Sequence, residues 1–600
     1  MKPTMEILTK LQENSKRNRE EVFTRLFRYL LRSDIYYVAY QHLYANNGAG
    51  TRGINNDTAD GFSETYVAQI IEALKAGSYT PSPVRRTYIR KANGKMRPLG
   101  LPTFTDKLVQ EAIRMILEAI YEPLFSNYSH GFRPGRSCHT ALAQLKHEFI
   151  GASWFVEGDI KGCFDHIDHK VLLNTLGKKI KDARFLNLIR LFLKAGYMEA
   201  WRYYGTYSGT PQGGILSPIL ANICLNELDV YVEKLKRDFD VRTPYRVTPE
   251  YYAIARQRNN LRRKINRRSA GEERDSLIAE YRRLSVELRK TPAKVCGDKK
   301  LKYVRYADDF LIAVNGSRED CEQIKAKLTD FISNELNMEL SQEKTLITHS
   351  SSLARFLSYD VRVRRSQEVK PWKNTKQRTM NNTVELLVPL QDKIGKFLKS
   401  HDVVKFRADN GKMEPVKRNS LLRLTDLEIV STYDAELRGL CNYYSLASNY
   451  RSLNYFCYRM EYSCLKTLAC KHRCKISQIH AKYQAGNKRW GIPYETKAGT
   501  KRKFIARLGE IKCKTCEDVI PKAIAIYANS KTTFEDRLKA KVCELCGSND
   551  AERYEIHHVN KVKNLKGKER WEQIMIAKRR KTMVVCHDCH VKIHNGFRKS

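Results

Sequence analysis

The spacing of large apolar residues along the chain predicts several kinds of folded unit. Near the start, four of them fall at positions i, i+3, i+4 and i+7, which predicts one face of a helix within 1–45. They are Phe23, Leu26, Phe27 and Leu30. From 79 to 235, strand-like and helical patterns alternate, and the alternation resumes near 300 and fades near 365. We therefore expect a mixed domain of helices and strands without an internal repeat.

The segment 237–298 interrupts that alternation. On both sides of the sequence SAGEERD, apolar residues keep a spacing of three to four among dense Arg, Lys and Glu, which predicts a charged helical hairpin inserted into the surrounding domain. A basic, Tyr-rich and helical pattern follows, then a less regular stretch, then a region rich in Cys and His. The patterns predict five units: 1–78, 79–365, 366–485, 486–535 and 536–600.

The charge of the chain points to a polyanionic partner. Lys and Arg total 108 against 66 for Asp and Glu, a formal net charge of +42, and such an excess destabilises a compact protein unless a polyanion is bound. Nucleic acid is the first choice, and an anionic membrane surface is the alternative. The sequence contains no run of about 18 apolar residues, the length needed to span a bilayer. Residues 1–23 contain no apolar signal core. We therefore expect a cytoplasmic protein with no membrane partner and with reduced cysteines.

Two adjacent carboxylates, Asp308 and Asp309, interrupt an apolar hairpin pattern in LKYVRYADDFLIAV (301–314). A third carboxylate, Asp159, follows the apolar strand pattern of WFV (154–156). Like charges that meet in a partly buried place need cations, and three converging carboxylates suit two Mg²⁺ ions about 4 Å apart in phosphoryl transfer. The alternative is a surface turn with two solvated aspartates, since turns favour Asp.

Paired cysteines near the C-terminus predict a structural Zn²⁺ site, because C-x2-C pairs supply halves of a tetrahedral thiolate shell. The predicted ligands are Cys543, Cys546, Cys586 and Cys589. A redox role for either pair is the weaker alternative. Another pair, Cys513 and Cys516, has no partner pair, and we interpret it as two ordinary cysteines in a helix turn or loop rather than a second metal site.

Several motifs occur in the order found in reverse transcriptases. The sequence YADD (306–309) resembles their YxDD box, EGDIKGCFD (157–165) resembles their first palm motif, and GTPQGGILSPILANICLNELD (209–229) resembles the motif between the two. LSQEKTLI (340–347) resembles the fourth palm motif, and GKMRPLGLPTFTDKLVQEAI and HGFRPGRSCHTAL resemble the fingers motifs of one branch, the group II intron-encoded proteins. The resemblance to this family continues to the C-terminus and covers essentially the whole chain.

The resemblance implies roles for residues of a polymerase site. Asp159, Asp308 and Asp309 would be catalytic and bind two Mg²⁺ ions. Further residues would contact the nucleotide: Lys95 and Arg97 the triphosphate, Phe164 the sugar, where it would exclude ribonucleotides, Gln212 and Gly213 the pocket, and Lys344 the departing pyrophosphate as proton donor. For Lys344, a solvated lysine at a helix end is an equal alternative. Where the family usually has Gly near its primer grip, in Phe-Leu-Gly-Tyr, this chain has Ser358.

The C-terminal module resembles an HNH nuclease, a ββα unit that holds one divalent metal ion, expected to be Mg²⁺. The resemblance implies His557 with His590 or His594 as metal ligands and His558 as the general base that activates water. The usual central Asn is displaced, since Lys581 and Thr582 stand near its position. Either Asn560 or Asn564 is a weak candidate for orienting His558. The alternative is that these histidines only help to hold zinc.

The implied architecture is a multidomain α+β fold with right-hand fingers and palm at 79–365. An N-terminal helical extension precedes it at 1–78. An α-helical thumb and maturase domain at 366–485, a DNA-binding or linker region at 486–535 and a small zinc-containing ββα HNH module at 536–600 would follow. Tyrosines between 436 and 462 alternate with basic residues, and we expect them to divide between core packing and stacking on RNA bases.

The resemblance implies a multifunctional protein. It would bind group II intron RNA and assist splicing, nick target DNA, and extend the nick from dNTPs with the intron RNA as template. Two alternatives stay open: a maturase that has lost its polymerase or nuclease, and a polymerase that serves defence or diversification. A homodimer is possible, but no residue indicates one.

Overall fold

The computed structural model describes residues 3–46, 48–90, 94, 96–200, 202–206, 208–210, 213–243, 246–291, 293–295, 297–366, 368–372, 375–407, 411–486, 489–496, 499–519 and 533–595. Within them, no helix is both long enough and apolar enough to cross a membrane.

The N-terminal region consists of short helices that pack on the central domain. Its elements are α1 (Thr4–Arg17), α2 (Ser33–Tyr44), β1 (Phe62–Ser63) and α3 (Glu64–Ala76). The helical face predicted at 23–30 is wrong in part. Its four apolar residues are buried, but only Phe27–Leu31 is helical, as a 3₁₀-turn, and Phe23 forms a parallel bridge with Ile180. The spacing correctly predicted that these residues are buried, but pairing with a distant segment determined their backbone conformation.

The central domain contains two four-stranded sheets. Its first part comprises β2 (Val84–Arg90), β3 (Met96–Leu101), α4 (Phe104–Tyr121), α5 (Cys138–Glu148), β4 (Trp154–Asp159), α6 (Cys163–His166), α7 (His169–Lys179), α8 (Ala183–Lys194), β5 (Tyr197–Glu199), β6 (Arg202–Tyr204) and α9 (Ser217–Phe239). The strand order of one sheet is β3-β2-β5-β6.

A hairpin of two long charged helices follows α9. It consists of β7 (Arg246–Val247), α10 (Pro249–Asn266), α11 (Glu272–Lys290) and β8 (Lys294–Val295), with β7 and β8 paired at its base. Thr248 caps the first helix through its side chain, and Pro249 occupies the first turn, where proline is tolerated. Few residues of either helix are buried, so charge dominates its surface.

The second sheet carries the candidate catalytic carboxylates. The chain returns through β9 (Lys300–Tyr306), β10 (Asp309–Asn315), α12 (Arg318–Asn334) and β11 (Ile347–His349), and the strand order is β11-β4-β10-β9. All pairs in this sheet are antiparallel. Helix α4, which is buried over most of its length, packs against α1, α2 and α9 beside it.

The region after 350 is mixed, which corrects the expectation of an α-helical thumb and maturase domain. It contains β12 (Ala354–Phe356), β13 (Tyr359–Val363), β14 (Val369–Trp372), β15 (Thr375–Arg378), β16 (Val384–Leu387), α13 (Lys396–Ser400), β17 (Val404–Phe406), β18 (Met413–Pro415), α14 (Asp426–Tyr443), α15 (Asn454–Lys471), α16 (Ile476–Lys482), β19 (Ile492–Thr496) and β20 (Gly499–Lys503). Strands β12, β13 and β16 form one sheet, because β16 pairs back onto β13. Helices α14 and α15 share its hydrophobic core.

The C-terminal module comprises α17 (Thr533–Lys539), β21 (Tyr554–His558), α18 (Arg570–Lys578), β22 (Thr582–Cys586) and α19 (His587–Asn595). Strand β22 runs directly into α19, which gives a ββα unit. The N-terminal strand β1 adds to its sheet in the order β1-β21-β22. The hydrophobic core of the module is continuous with that of the N-terminal helices.

Candidate active sites

The three carboxylates predicted from the sequence meet at one end of the second sheet. Strands β4 and β10 run antiparallel with Asp159 directly opposite Asp309, and Asp309 also pairs with Tyr306 across the hairpin turn. Ala307 takes a left-handed conformation, with φ of 56°, which tightens this turn. Side chains of directly opposed residues share a face of the sheet, so the register brings the Asp159 and Asp309 carboxylates together.

A fully buried ion pair between Arg305 and Asp229 supports the turn at Ala307. The Arg305 side chain is 0% exposed and donates to both oxygens of Asp229, at 2.7 and 2.5 Å. It also donates to the Ala307 carbonyl at 2.8 Å and to Ser129 Oγ at 2.9 Å. On the other side, a Cβ on Gly131 would lie 2.4 Å from the Ala307 nitrogen, so only glycine fits there.

The electrostatics of the site favour cation binding. Burial, then repulsion from Asp308 and a contact with Asp159, raises the pKa of Asp309 to about 7. Burial also raises the pKa of Asp308. Lys344 Nζ lies 2.7 Å from Asp159 Oδ2, and this hydrogen bond raises the pKa of the lysine. Two neighbouring carboxyl groups whose pKa values are raised are stabilised as anions when a divalent cation binds between them.

A cleft of about 690 Å³ opens onto the carboxylates, which is large enough for a nucleotide. Its lining includes Arg97, Phe164, Gly213 and Lys344. Lys95 and Gln212 lie outside the described residues. Phe132 was not predicted as a site residue; its ring stands edge-on to that of Phe164, with centroids 6.0 Å apart. The ring of Phe132 is exposed although its backbone φ is +56°, a combination that no sequence pattern signals.

Ser358 lies in a two-residue turn that joins β12 to β13, since Phe356 pairs with Tyr359. Both turn residues are left-handed, with φ of 45° for Leu357 and 60° for Ser358, a turn that prefers glycine. The hydroxyls of Tyr443 and Tyr444 donate to the carbonyls of Leu357 and Ser358 at 2.6 and 3.2 Å. Helix α14 and the residue after it thus hold a turn that lacks its favoured glycine.

The four cysteines predicted to bind zinc come together in the C-terminal module. Their sulfur atoms all lie within 4.8 Å of one another, and three of the four residues are buried. The backbone N–H of Cys546 donates to Cys543 Sγ at 3.4 Å, as expected where a sulfur carries negative charge. Cys513 and Cys516 belong to neither of the two metal-binding clusters found among the described residues.

A second cluster contains three of the predicted histidines. Ligand atoms of His557, His590 and His594, together with those of Asp60 in the N-terminal region, lie within 4.8 Å of one another. His590 Nδ1 lies 2.5 Å from Glu555 Oε2. Burial opposes charge on His590, but its hydrogen bonds with Asp60 and Glu555 raise its pKa to about 9. Neither Asp60 nor Glu555 was predicted from the sequence. Glu555 could have been predicted, because it precedes His557 by two residues in a strand and therefore lies on the same face.

His558 lies outside this cluster. Its Nε2–H donates to the Tyr44 carbonyl at 3.0 Å, and burial lowers its pKa. The residue opposite His558 on β22 is Thr582, whose hydroxyl accepts from Arg537 at 3.1 Å. The structure therefore brings three of the predicted nuclease histidines together and leaves the predicted general base against the N-terminal region.

Comparisons with known proteins agree with this organisation. The family model described as reverse transcriptase (RNA-dependent DNA polymerase) matches 89–241. The type II intron maturase model matches 381–544, and the AI2M/AI1M-like HNH endonuclease model matches 543–590. The group II intron-encoded protein LtrA of Lactococcus lactis subsp. cremoris is 57% identical over 593 residues, which cover 98% of this chain and 99% of that protein. The chain belongs to the group II intron-encoded proteins.

This group II intron-encoded protein is multifunctional, with reverse transcriptase, maturase and HNH endonuclease domains, as predicted from its motifs. The uncharacterized 91 kDa protein in the cob intron of Schizosaccharomyces pombe is 36% identical over 98% of this chain and 72% of that protein. Among solved structures, a chain of the partial Cas6-RT-Cas1–Cas2 complex matches 52% of this chain and 43% of its own length. It has 19% identity and a TM-score of 0.27, too low to carry an argument.

Proposed function

We propose that this protein performs target-primed reverse transcription of its own intron RNA. The observation that carries the proposal is the convergence of Asp159, Asp308 and Asp309 at a nucleotide-sized cleft lined by Arg97. The HNH module would nick one strand of target DNA, and the palm would extend the resulting 3′ hydroxyl from dNTPs. Nucleic acid, as RNA and DNA, accounts for the large positive charge of the chain.

The residues of the cleft fit a pair of Mg²⁺ ions, because oxygen ligands are what Mg²⁺ takes and two of the carboxyl groups have raised pKa values. When bound, the ions would activate the primer hydroxyl and stabilise the charge on the leaving pyrophosphate. Arg97 neutralises the triphosphate, and Phe164, backed by Phe132, closes the space beside the sugar. Lys344, which lies 2.7 Å from Asp159 Oδ2, would donate a proton to the leaving pyrophosphate.

The three clustered histidines fit one divalent ion at the nuclease site. Glu555 accepts from His590 Nδ1–H, which fixes the tautomer that points Nε2 into the cluster. The ion, when bound, would polarise the scissile phosphate. His558 would act as general base only after its Nε2 leaves the Tyr44 carbonyl. The four thiolates fit a structural Zn²⁺ that stabilises the module.

The maturase function would use the outer face of α15. Tyr455 and Tyr458 are each 56% exposed, and the Arg459 guanidinium lies 3.0 Å from the Tyr455 ring centroid. By contrast, Tyr444 and Tyr450 are buried in the core. Exposed aromatic rings stack on the unpaired bases of structured RNA, and the buried Arg459 holds the Tyr455 ring from beneath. We infer a cytoplasmic site of action, because a zinc–thiolate site needs reducing conditions.

The test joins two assays on one preparation. Purified protein should promote splicing of its intron RNA at low Mg²⁺ and incorporate dTTP on poly(rA)/oligo(dT). The Asp309→Asn variant should lose incorporation by at least about a thousandfold and keep splicing. The double variant Tyr455→Ala/Tyr458→Ala should lose splicing and keep incorporation. Incorporation without any protein-dependent splicing would refute the maturase half of the proposal, and splicing without Asp309-dependent synthesis would refute the polymerase half.

A further inference from the structure

A carboxylate from the N-terminal region stands among the nuclease histidines. Asp60 Oδ2 lies 2.7 Å from His594 Nε2, and Asp60 Oδ1 lies 3.2 Å from both His590 Nε2 and His557 Nδ1. Asp60 is distant from these histidines in the sequence, with a separation of 530 residues from His590. Three imidazoles and one carboxylate within such distances are a ligand set used by transition metals and zinc.

His557 provides independent evidence that the cluster binds a metal ion. The His557 ring is only 4% exposed, and neither of its nitrogens has a hydrogen-bond partner of acceptable geometry among the described residues. A buried imidazole without such a partner is costly. His557 Nδ1 faces the Asp60 carboxylate. A metal ion bound between them would give both this nitrogen and the carboxylate a partner.

The position of Asp60 is fixed by strand pairing. The N–H of Gly61 donates to the Ile556 carbonyl at 3.0 Å, and Phe62 pairs with Ile556 in the β1–β21 ladder. The backbone N–H of His558 donates to Asp60 Oδ1 at 2.7 Å, which orients the carboxylate. Gly61 has φ of 81°, a left-handed turn that a residue with a side chain would resist.

Apolar packing joins the two regions around this pairing. Phe62 is 1% exposed and stacks on Tyr40 with ring centroids 4.2 Å apart. Phe534 of the module packs on the same Tyr40 ring, with centroids 5.3 Å apart. The carboxylate is therefore presented to the cluster by a buried interface rather than by a solvated loop.

We propose that Asp60 is a fourth protein ligand of the nuclease metal ion, so that the bound ion ties the HNH module to the N-terminal region. This inference rests on the proposed nuclease site at His557, His590 and His594. It adds that the site is completed by a segment outside the module. The ion then stabilises the docked position of the module as well as serving the nuclease.

The test titrates Ni²⁺, which favours imidazole ligands, into zinc-loaded full-length protein by calorimetry. All samples carry Asp308→Ala, which removes the metal site of the polymerase. Asp60→Asn should weaken Ni²⁺ binding by at least about ten- to a hundredfold, because losing a direct ligand costs no less than losing a group that only hydrogen-bonds to a ligand. Glu64→Gln is the matched control: it removes one negative charge from an exposed position of the same segment and should bind as tightly as the parent.

Hydrogen exchange gives a second readout that does not depend on catalysis. Ni²⁺ should slow exchange of the Gly61 and Phe62 amides about tenfold or more in the parent and in Glu64→Gln, but not in Asp60→Asn. His590→Ala distinguishes failure of the proposed nuclease site from failure of the proposed role of Asp60. If His590→Ala binds Ni²⁺ as tightly as the parent, the nuclease site itself is misassigned. If His590→Ala abolishes binding while Asp60→Asn leaves affinity and protection unchanged, only the role of Asp60 is refuted.

Discussion

The buried pair of Arg305 and Asp229 offers the sharpest test of how the catalytic turn is held. We expect Arg305→Met to destabilise the β9–β10 hairpin by about 3–5 kcal/mol, because it leaves a buried carboxylate uncompensated. Both side chains are 0% exposed, and among the described residues Asp229 would keep only its 2.9 Å hydrogen bond from the Tyr303 hydroxyl. The Ala307 carbonyl would also lose its donor.

Native-state hydrogen exchange is the suitable assay, since a chain with several domains has no single free energy of unfolding. Amides of β9 and β10 should exchange about 10² to 10⁴ times faster in Arg305→Met, at 1.36 kcal/mol per factor of ten. Amides of α15 in the maturase region should not change. The double variant Arg305→Met/Asp229→Leu should recover most of the protection, because it removes both charges together.

Polymerisation should behave differently from stability in this series. The double variant still lacks the donor to Ala307, so dTTP incorporation should stay at least about tenfold below that of the parent, equal to the loss of one hydrogen bond of about 1.4 kcal/mol. Exchange rates in Arg305→Met within about threefold of the parent, less than 1 kcal/mol, would refute the structural reasoning. Full recovery of incorporation in the double variant would refute the role of the pair in positioning the turn.

Three further changes have defined outcomes. Ser358→Gly should slow hydrogen exchange of the β12 and β13 amides about fivefold, by relieving about 1 kcal/mol of left-handed strain, whereas Ser352→Gly, where φ is not positive, should not slow it. Burial lowers the pKa of His130 to about 4. Below pH 6.5 the unfolded chain therefore takes up a proton at His130 that the folded chain does not bind. The free energy of unfolding of the central domain should fall by about 3 kcal/mol between pH 6.5 and 4. His130→Gln should remove most of this pH dependence. Cys586→Ser should lose the bound zinc and expose the C-terminal module to protease, and an unchanged zinc content would contradict the four-thiolate site, for which Cys513→Ser is the control.

Local sequence was sufficient to predict which carboxylates meet at the candidate polymerase site. The alternation of apolar residues around YADD and WFVEGD already specified two strands ending in carboxylates, and strand pairing could only bring those ends together. The four cysteines were equally readable, because C-x2-C spacing leaves little choice of geometry. The charged hairpin was predicted for the same reason: its helical periodicity is local.

Predictions failed where a long-range partner decided the outcome. Phe23 matched a helical pattern but pairs with Ile180 instead. The region after 365 was predicted to be helical, but Val384–Leu387 is a strand because β13 offers it an edge. In each case the apolar residues are buried as expected, so the sequence determined what is buried and not which backbone conformation buries it.

The sequence by itself determined the candidates for the chemistry: local spacing marked the three aspartates and the four cysteines, and the resemblance to HNH nucleases indicated the histidines. Only the tertiary structure decided that Arg305 and Gly131 hold the YADD turn, that His558 faces Tyr44, and that Asp60 stands among the nuclease histidines. The physical reason is that ligand spacing and strand periodicity act over a few residues. Contacts between segments hundreds of residues apart depend on packing and register, and these exist only in the folded chain.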